Sequence, residues 1–376
     1  MLEKKGLSQS NIAEALDVSR TIVSDWFNQK KSPRPKHLLQ LSNILGLSYE
    51  NLIIEESSNE PVVAFRKKAK SKTSLEHIEN AKDRGWLLKP LVEFLPKEKF
   101  KLEYSSKVLL NPTLDYNHIE EIADDIRKDY ICKSEDGIIP FTSLIQAFDD
   151  FKAVLIPVLL GKKEKHENAV QIFLPESKTN WVFLNIDTNI IDFKFWMTHE
   201  FAHLLTPNLT IEDSEKAEDF ADAIAGAVLF SREKAEILYK EIERKTHDGE
   251  KINCIKKAAN ENMVALFTIE KQINKYLKNI GKEKLPFSVG GANTNFSKEF
   301  ELVSDIIFDS NQPFTAKSYI QSTKDIFHSP FFDILRNYLI ESKKSSSYLS
   351  SILNMSPSDS QAIYEELLNE KANNPR

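Results

Sequence analysis

The sequence contains little glycine and almost no cysteine. Its 376 residues include only 10 Gly, and none of them forms a Gly-rich phosphate-binding pattern. Cys132 and Cys254 are the only cysteines, too few for a disulfide framework or a cysteine-based zinc site. These absences argue against a disulfide-stabilised secreted domain, and we expect two inert thiols in a reducing compartment.

Long apolar runs are also missing. The chain opens with MLEKKGLSQS, which does not resemble a signal peptide. The longest apolar runs, such as residues 153–160, are far too short to span a bilayer. Hydrophobic residues make up 41% and charged residues 28% of the chain, which is ordinary for a globular protein. Without a signal-like or bilayer-spanning segment, and with two thiols expected to be reduced, we expect the protein in the cytoplasm.

Charge is distributed unevenly along the chain. The net charge is −6, yet residues 1–75 hold 12 Lys or Arg against 8 Asp or Glu, a local charge of +4 that leaves −10 for the remainder. A basic front end on an acidic body fits a local DNA-binding module. The basic run at residues 66–72 is either a solvated helix face or a DNA contact.

Length and composition predict several domains in a mainly α-helical protein with one small α+β domain. The N-terminal part is predicted to be an all-α helical bundle, and the C-terminal part a helical region without an assigned role. The predicted divisions are the bundle at residues 1–55, a basic linker and helical connector at 56–105, the α+β domain at 106–247 and the C-terminal region at 248–376.

The small α+β domain is predicted from a change in hydrophobic periodicity. The polar stretch at 161–168, between the first two β-like runs, predicts a hairpin loop. In chain order, the pattern predicts helices at 119–130 and 141–151, strands at 153–159, 169–174 and 181–185, and a further helix from about Asn189.

Residues 7–54 have the pattern of several short helices. Ser8 is placed to cap a first helix, and Ser19 to cap a second helix at residues 20–28. Another helix is expected around residues 49–53. The second helix is predicted to bury four side chains, which are Ile22, Val23, Trp26 and Phe27.

This pattern resembles the Xre/Cro helix-turn-helix family, with Leu7-Ser8-Gln9 opening one helix and Val18-Ser19-Arg20 at the turn. The resemblance implies a second helix in the major groove of double-stranded DNA and a homodimer. The alternative is a helical bundle for protein contacts. The resemblance places Arg20, Thr21, Ser24 and Asn28 at base edges, and Gln9 and Lys30 at phosphates.

Residues 195–205 contain the pattern His-Glu-x-x-His, formed by His199, Glu200 and His203. On a helix, residues four apart share a face, so both imidazoles can meet one cation. Glu200 then lies beside the metal, where it can take a proton from water. Zinc suits a site of imidazole and carboxylate ligands. The alternative is two structural histidines one helical turn apart.

A hydrolytic zinc site needs a third protein ligand. Downstream, Glu218 and Asp222 share one helix face, so Glu218 is a candidate ligand and Asp222 a candidate partner of a ligand histidine. Glu215 and Asp219 have the same spacing and compete with them. All four acids together also fit a solvated helix face.

These motifs resemble the ImmA/IrrE family of bacterial zinc peptidases, which carry His-Glu-x-x-His and a downstream Glu-x-x-Ala-(Asn/Asp)-x-Phe-Ala segment. The register implies Glu218 rather than Glu215 as the third zinc ligand, and a zincin-like metallopeptidase domain. Ile224 departs from the usual aromatic residue, and Ser231 from a common proline. The matching positions are Glu218, Ala221, Asp222, Ile224, Ala225, Leu229 and Phe230.

The resemblance implies a zinc-dependent endopeptidase that cleaves a transcriptional repressor in response to stress or mobile-element signals. A fused DNA-binding domain would place it near that repressor. The alternative is a non-catalytic repressor, antitoxin or phage-defence regulator that uses the zincin domain as a sensor or scaffold. The presence of Glu200 favours the peptidase, because a scaffold does not need a general base.

Overall fold

The chain divides into two compact units at residue 59. The computed structural model describes residues 8–27, 33–45, 60–63, 75–96, 108–109, 112–130, 138–151, 153–160, 168–308 and 314–373. The predicted fold class is confirmed, since a helical N-terminal unit is followed by a mainly α-helical unit with one small mixed sheet. The finer boundaries near residues 105 and 247 stay predictions.

The N-terminal unit is built from short helices around a small apolar core. Its described helices are α1 (Gln9–Ala15), α2 (Arg20–Phe27) and α3 (Pro35–Leu45). Ser8 caps α1, because its hydroxyl accepts from the amide of Asn11 at 3.2 Å. The core cluster consists of Ile12, Ala13, Leu16, Val23 and Leu41.

The predicted inward face of α2 is only partly correct. Val23 is fully buried and Trp26 packs against the core, but Ile22 is 37% and Phe27 44% exposed. The core of this small unit covers a narrow stripe of α2, so side chains flanking that stripe reach the surface. The helix predicted at residues 49–53 lies outside the described residues.

The larger unit contains a four-stranded sheet in the order β1-β3-β4-β2. The strands are β1 (Val62–Val63), β2 (Ala153–Val158), β3 (Ala169–Leu174) and β4 (Thr179–Asn185). β3 pairs antiparallel with β1 and β4, whereas β2 pairs parallel with β4.

The hairpin predicted across residues 161–168 is wrong. β2 lies beside β4 rather than β3, so this segment connects strands that are not neighbours. The hairpin joins β3 to β4 instead, through the turn at residues 175–178. β1 lies in the predicted linker and was not expected, because pairing of two residues leaves no periodic signal.

Helices cover both faces of the sheet. Alternate residues of β4 point to opposite sides, with Val182 and Leu184 in one core and Trp181 and Phe183 in the other. Burial of both faces explains why the strands are nearly continuous apolar runs. The helices of this unit before the fourth strand are α4 (Leu75–Leu88), continued by a 3-10 helix (Lys89–Phe94), α5 (Tyr116–Tyr130) and α6 (Phe141–Asp150).

The chain after the sheet is helical. The last four helices pack on the sheet face that carries Trp181 and Phe183. In chain order the helices are α7 (Ile190–Leu205), α8 (Pro207–Glu212), α9 (Ser214–Leu229), α10 (Arg232–Glu243), α11 (Asp248–Asn262), α12 (Leu266–Asn279), α13 (Gly290–Ser297), α14 (Val303–Ile307), α15 (Ala316–Asp325), α16 (Phe331–Glu341), α17 (Ser346–Leu353) and α18 (Pro357–Asn373).

The C-terminal helical region also closes one edge of the sheet. The buried hydroxyl of Tyr319 donates to the carbonyl of Pro157, and that of Ser329 donates to the carbonyl of Leu155. Both carbonyls belong to the edge strand β2, whose backbone acceptors would otherwise lie unpaired in an apolar environment. This region is therefore part of the same packed unit as the sheet.

Candidate metal centre

Helix α7 carries the histidine pair. It begins after Asn189, whose side chain accepts from the amide of Asp192 at 2.9 Å. His199 and His203 are 1% and 0% exposed, and lie one helical turn apart on one face of α7. Apolar packing of α7 against neighbouring helices holds both rings inside the unit.

Helix α9 supplies the carboxylates. Asp213 caps this helix by accepting from the amide of Lys216 at 3.1 Å. Its apolar positions pack against α7 through the shared core, which directs Glu218 and Asp222 towards the imidazoles. Two helices that are separate in sequence therefore build one polar site.

Three side chains with potential ligand atoms converge between α7 and α9. His199 Nε2 lies 3.3 Å from His203 Nε2, and the two carboxylate oxygens of Glu218 lie 3.3 Å from His199 Nε2 and 3.4 Å from His203 Nε2. Ligands at roughly 2.0–2.1 Å from a tetrahedral zinc ion are about 3.3 Å apart. The spacing therefore fits a small tetrahedral cation.

Among the described residues, His199, His203 and Glu218 form the one group of His, Cys, Asp and Glu side chains whose ligand atoms all lie within 4.8 Å of one another. The rivals Glu215 and Asp219 are exposed and do not belong to this group. The structure thus brings Glu218 to the imidazoles, in the register that the sequence indicates.

The outward nitrogens of the two histidines have different partners. His199 Nδ1 lies 3.1 Å from Asp222 Oδ1, where the sequence places Asp222. His203 Nδ1 lies 3.5 Å from Thr210 Oγ1. Thr210 was missed, because it lies in the separate short helix α8 and a threonine is not a metal-site signal. Both imidazoles thus present Nε2 to the centre.

The site's electrostatics favour a cation. Burial would raise the pKa of Glu218, but hydrogen bonds to both imidazoles lower that pKa to about 2. Burial would lower the pKa of His199, but bonds to Asp222 and Glu218 raise it to about 9. For His203 the effect of burial dominates, and its pKa is lowered. An ionised carboxylate thus faces two imidazoles inside the protein.

Glu200 lies beside this centre on α7. It is 3% exposed, and its charge is among the causes that raise the pKa of His199. Glu200 is not part of the three-ligand group. Glu200 therefore lies near the histidines but outside the group of side chains that could hold a metal ion.

In the N-terminal unit, α1 and α2 are joined by a tight turn. Asp17 has a left-handed backbone conformation with φ of 53°, and the Ser19 hydroxyl accepts from the amide of Ile22 at 3.3 Å. Two capped helices separated by such a turn are typical of a helix-turn-helix motif. Residues 1–52 match the helix-turn-helix family model.

This helix-turn-helix is a DNA-binding domain, and it supports a regulatory role for the chain.

No curated protein and no solved structure matches the sequence. Among the described residues, no helix is long and apolar enough to cross a membrane.

The helix-turn-helix domain presents its predicted DNA contacts unequally. Arg20 and Thr21 are exposed on the first turn of α2, the end of a recognition helix that meets base edges. Ser24 and Gln9 are half-buried. The other two predicted contacts, Asn28 and Lys30, lie outside the described residues.

Proposed function

We propose that this chain is a DNA-binding regulatory zinc peptidase that cleaves a specific protein, such as a transcriptional repressor. The observation that carries the proposal is the convergence of His199 Nε2, His203 Nε2 and Glu218 at tetrahedral spacing, with Glu200 beside them. The resemblance to the ImmA/IrrE peptidases suggests the reaction class, and the helix-turn-helix domain supports the regulatory setting.

The donor set suits zinc. Two imidazole nitrogens and one carboxylate are a common protein ligand set of hydrolytic zinc sites, and three protein ligands leave a fourth position for water or substrate. A bound zinc ion supplies Lewis-acid activation of water and of the scissile carbonyl. His199, His203 and Glu218 would hold it.

Glu200 and Asp222 each have a task in this mechanism. Glu200 accepts a proton from the attacking water and passes it to the leaving amine, which is general base and then general acid catalysis. Asp222 accepts from His199 Nδ1 and so keeps the ring turned towards the centre.

The two activities are complementary in one chain. A helix-turn-helix domain that binds double-stranded DNA would hold the peptidase near a repressor on the same DNA, or let the chain control its own operon. Binding as a homodimer would match paired half-sites in the operator. The protein substrate would then be selected by proximity as well as by its sequence.

The proposal predicts that Glu200→Gln abolishes hydrolysis while preserving the metal centre. Zinc-loaded wild type and variant would be incubated with a peptide library prepared from a digested bacterial proteome, and new termini identified by mass spectrometry. We expect cleavage at a restricted set of sites by the wild type, and a loss of at least about 100-fold in the variant. The exposed Glu215→Gln serves as the matched control.

Equal cleavage by wild type and Glu200→Gln would refute the assigned mechanism. If the zinc-loaded wild type cleaves neither the library nor intact proteins encoded beside its gene, the zincin domain is a sensor or scaffold instead. Zinc content and melting temperature, measured on every sample, separate lost chemistry from lost folding.

A further inference from the structure

His203 has one ring nitrogen at the metal centre and one outside it. Its Nε2 lies 3.4 Å from Glu218 and 3.3 Å from His199 Nε2. Its Nδ1 lies 3.5 Å from the hydroxyl oxygen of Thr210. A neutral imidazole carries one proton, so a group that fixes the proton on Nδ1 leaves the Nε2 lone pair free for a cation.

The hydroxyl of Thr210 lies within hydrogen-bonding reach of two groups, His203 Nδ1 and the carbonyl of Thr206. Its oxygen lies 3.4 Å from the backbone carbonyl of Thr206, which can only accept a hydrogen bond. A hydroxyl hydrogen directed to the Thr206 carbonyl leaves the oxygen lone pairs to accept from His203 Nδ1–H. The resulting chain runs from His203 Nδ1–H to Thr210 Oγ1–H to the Thr206 carbonyl.

The local sequence holds this chain in place. Thr206 ends α7, and Pro207 starts α8 at a position where the missing amide hydrogen costs nothing. The backbone amide of Thr210 also donates to the Thr206 carbonyl, at 3.3 Å. Thr206 is itself buried, and its own hydroxyl donates to the carbonyl of Ala202 at 3.2 Å. Backbone and side chain of Thr210 are thus tied to the end of the ligand helix.

We propose that Thr210 is a positioning residue that fixes the Nδ1–H tautomer of His203 and thereby prepares Nε2 for the metal. It serves His203 as Asp222 serves His199, but with a neutral hydroxyl in place of a carboxylate. The group beside His199 is thus a carboxylate and the group beside His203 is a neutral hydroxyl. Only one of the two histidines is therefore held by a negatively charged side chain. The inference rests on the proposed zinc centre, which it deepens by one residue.

The test uses three variants of the full-length protein. Thr210→Val keeps the shape and removes the hydroxyl, whereas Thr210→Ser keeps the hydroxyl. Thr206→Val is the matched control, because it removes a buried hydroxyl at the same helix junction that donates to the backbone carbonyl of Ala202. The tautomer of His203 is read from imidazole nitrogen shifts in NMR spectra of metal-free protein at neutral pH, with the signal assigned by H203Q. Zinc affinity is read by competition with a chromogenic chelator.

We expect the Nδ1–H tautomer in the wild type, in Thr210→Ser and in Thr206→Val, and a mixture or the Nε2–H form in Thr210→Val. Zinc binding should weaken by about tenfold or more in Thr210→Val, and recover in Thr210→Ser. An unchanged tautomer in Thr210→Val, or equal zinc loss in Thr210→Val and Thr206→Val, would overturn the assignment. The tautomer readout needs no metal, so a wild type that binds no zinc would reject the zinc centre and leave the role of Thr210 to be decided by NMR.

Discussion

Lys194 is a buried basic residue on the helix that carries the two histidines of the proposed metal centre. Lys194 is 1% exposed. Its Nζ donates to the carbonyl of Asn262 at 3.3 Å and to the carbonyl of Met263 at 3.1 Å, at the end of α11. Burial, with a smaller effect from Lys234, lowers the pKa of Lys194 from 10.5 to about 8. A cation at a helix C-terminus is favourable, but this one is desolvated.

This lysine predicts a pH dependence of stability. Between pH 8 and 10.5 the unfolded chain holds the Lys194 proton and the folded chain does not, so the free energy of unfolding rises with pH by about 3 kcal/mol at most. Denaturant unfolding across this range should show the rise in wild type and lose it in Lys194→Met. The exposed Lys256→Met, on α11, should keep the wild-type slope; equal slopes in all three proteins would contradict the account.

At the scale of single residues, the sequence predicts what depends on local spacing. His199, Glu200 and His203 lie within one helical turn, so helical spacing was enough to propose these three. Spacing left Glu215 and Asp219 as rivals of Glu218 and Asp222, and the choice between the pairs came from the resemblance to the ImmA/IrrE peptidases. Thr210 reaches His203 from a different helix, and threonine is too common for its position to be informative. The exposure of Ile22 and Phe27 depends on the size of the apolar core of the small unit. The hydrophobic periodicity of the sequence does not predict that size.

At the scale of elements, Gly85 anchors the strand that sequence analysis missed. Gly85 lies on α4, where an added methyl group would overlap Pro61, directly before β1, and lie 3.1 Å from Ile172 Cγ2 of β3. The glycine therefore permits the close approach of α4 to the β1–β3 pair. A salt bridge of 3.0 Å between Lys82 and Glu60 holds the same junction from outside.

Gly85→Ala is expected to destabilise the protein by about 1–3 kcal/mol, because the new methyl group must displace Pro61. Amide exchange should show lost protection at Val62 and Val63 before any loss in the β3–β4 hairpin. Gly249→Ala on α11 is the matched control: it meets no atom within 4 Å, so it should stabilise by up to about 1 kcal/mol. Equal exchange at β1 in both variants would exclude the anchoring role.

Helices with their own capping residues and apolar periodicity could be predicted from the sequence. The pairing of the strands with one another could not. α7 begins at its Asn189 cap and α9 carries a clear apolar face, so both follow from local signals. The parallel pairing of β2 with β4 joins segments that are distant in sequence, and it is favoured because it buries both faces of the sheet. No turn residue in the sequence indicates this pairing. The hairpin was therefore assigned to the wrong pair of strands.

At the scale of the whole molecule, the DNA-binding domain and the proposed metal centre belong to different compact units. Arg20→Ala should weaken binding to duplexes selected from a random pool by the wild type, by about 1–3 kcal/mol at fixed salt, since it removes a base or phosphate contact. His199→Ala, in the other unit, should leave that affinity unchanged. Unchanged affinity in Arg20→Ala would reject its assignment, and weakened binding in His199→Ala would show that the units are coupled.

The most direct test of the account is the metal content of the purified protein, measured by elemental analysis in wild type, His199→Ala, Glu218→Ala and Glu215→Ala. We predict about one zinc per chain in wild type and in Glu215→Ala, and its loss from His199→Ala and Glu218→Ala. A wild type without zinc after zinc has been supplied, or zinc retained by Glu218→Ala, would contradict the proposed centre.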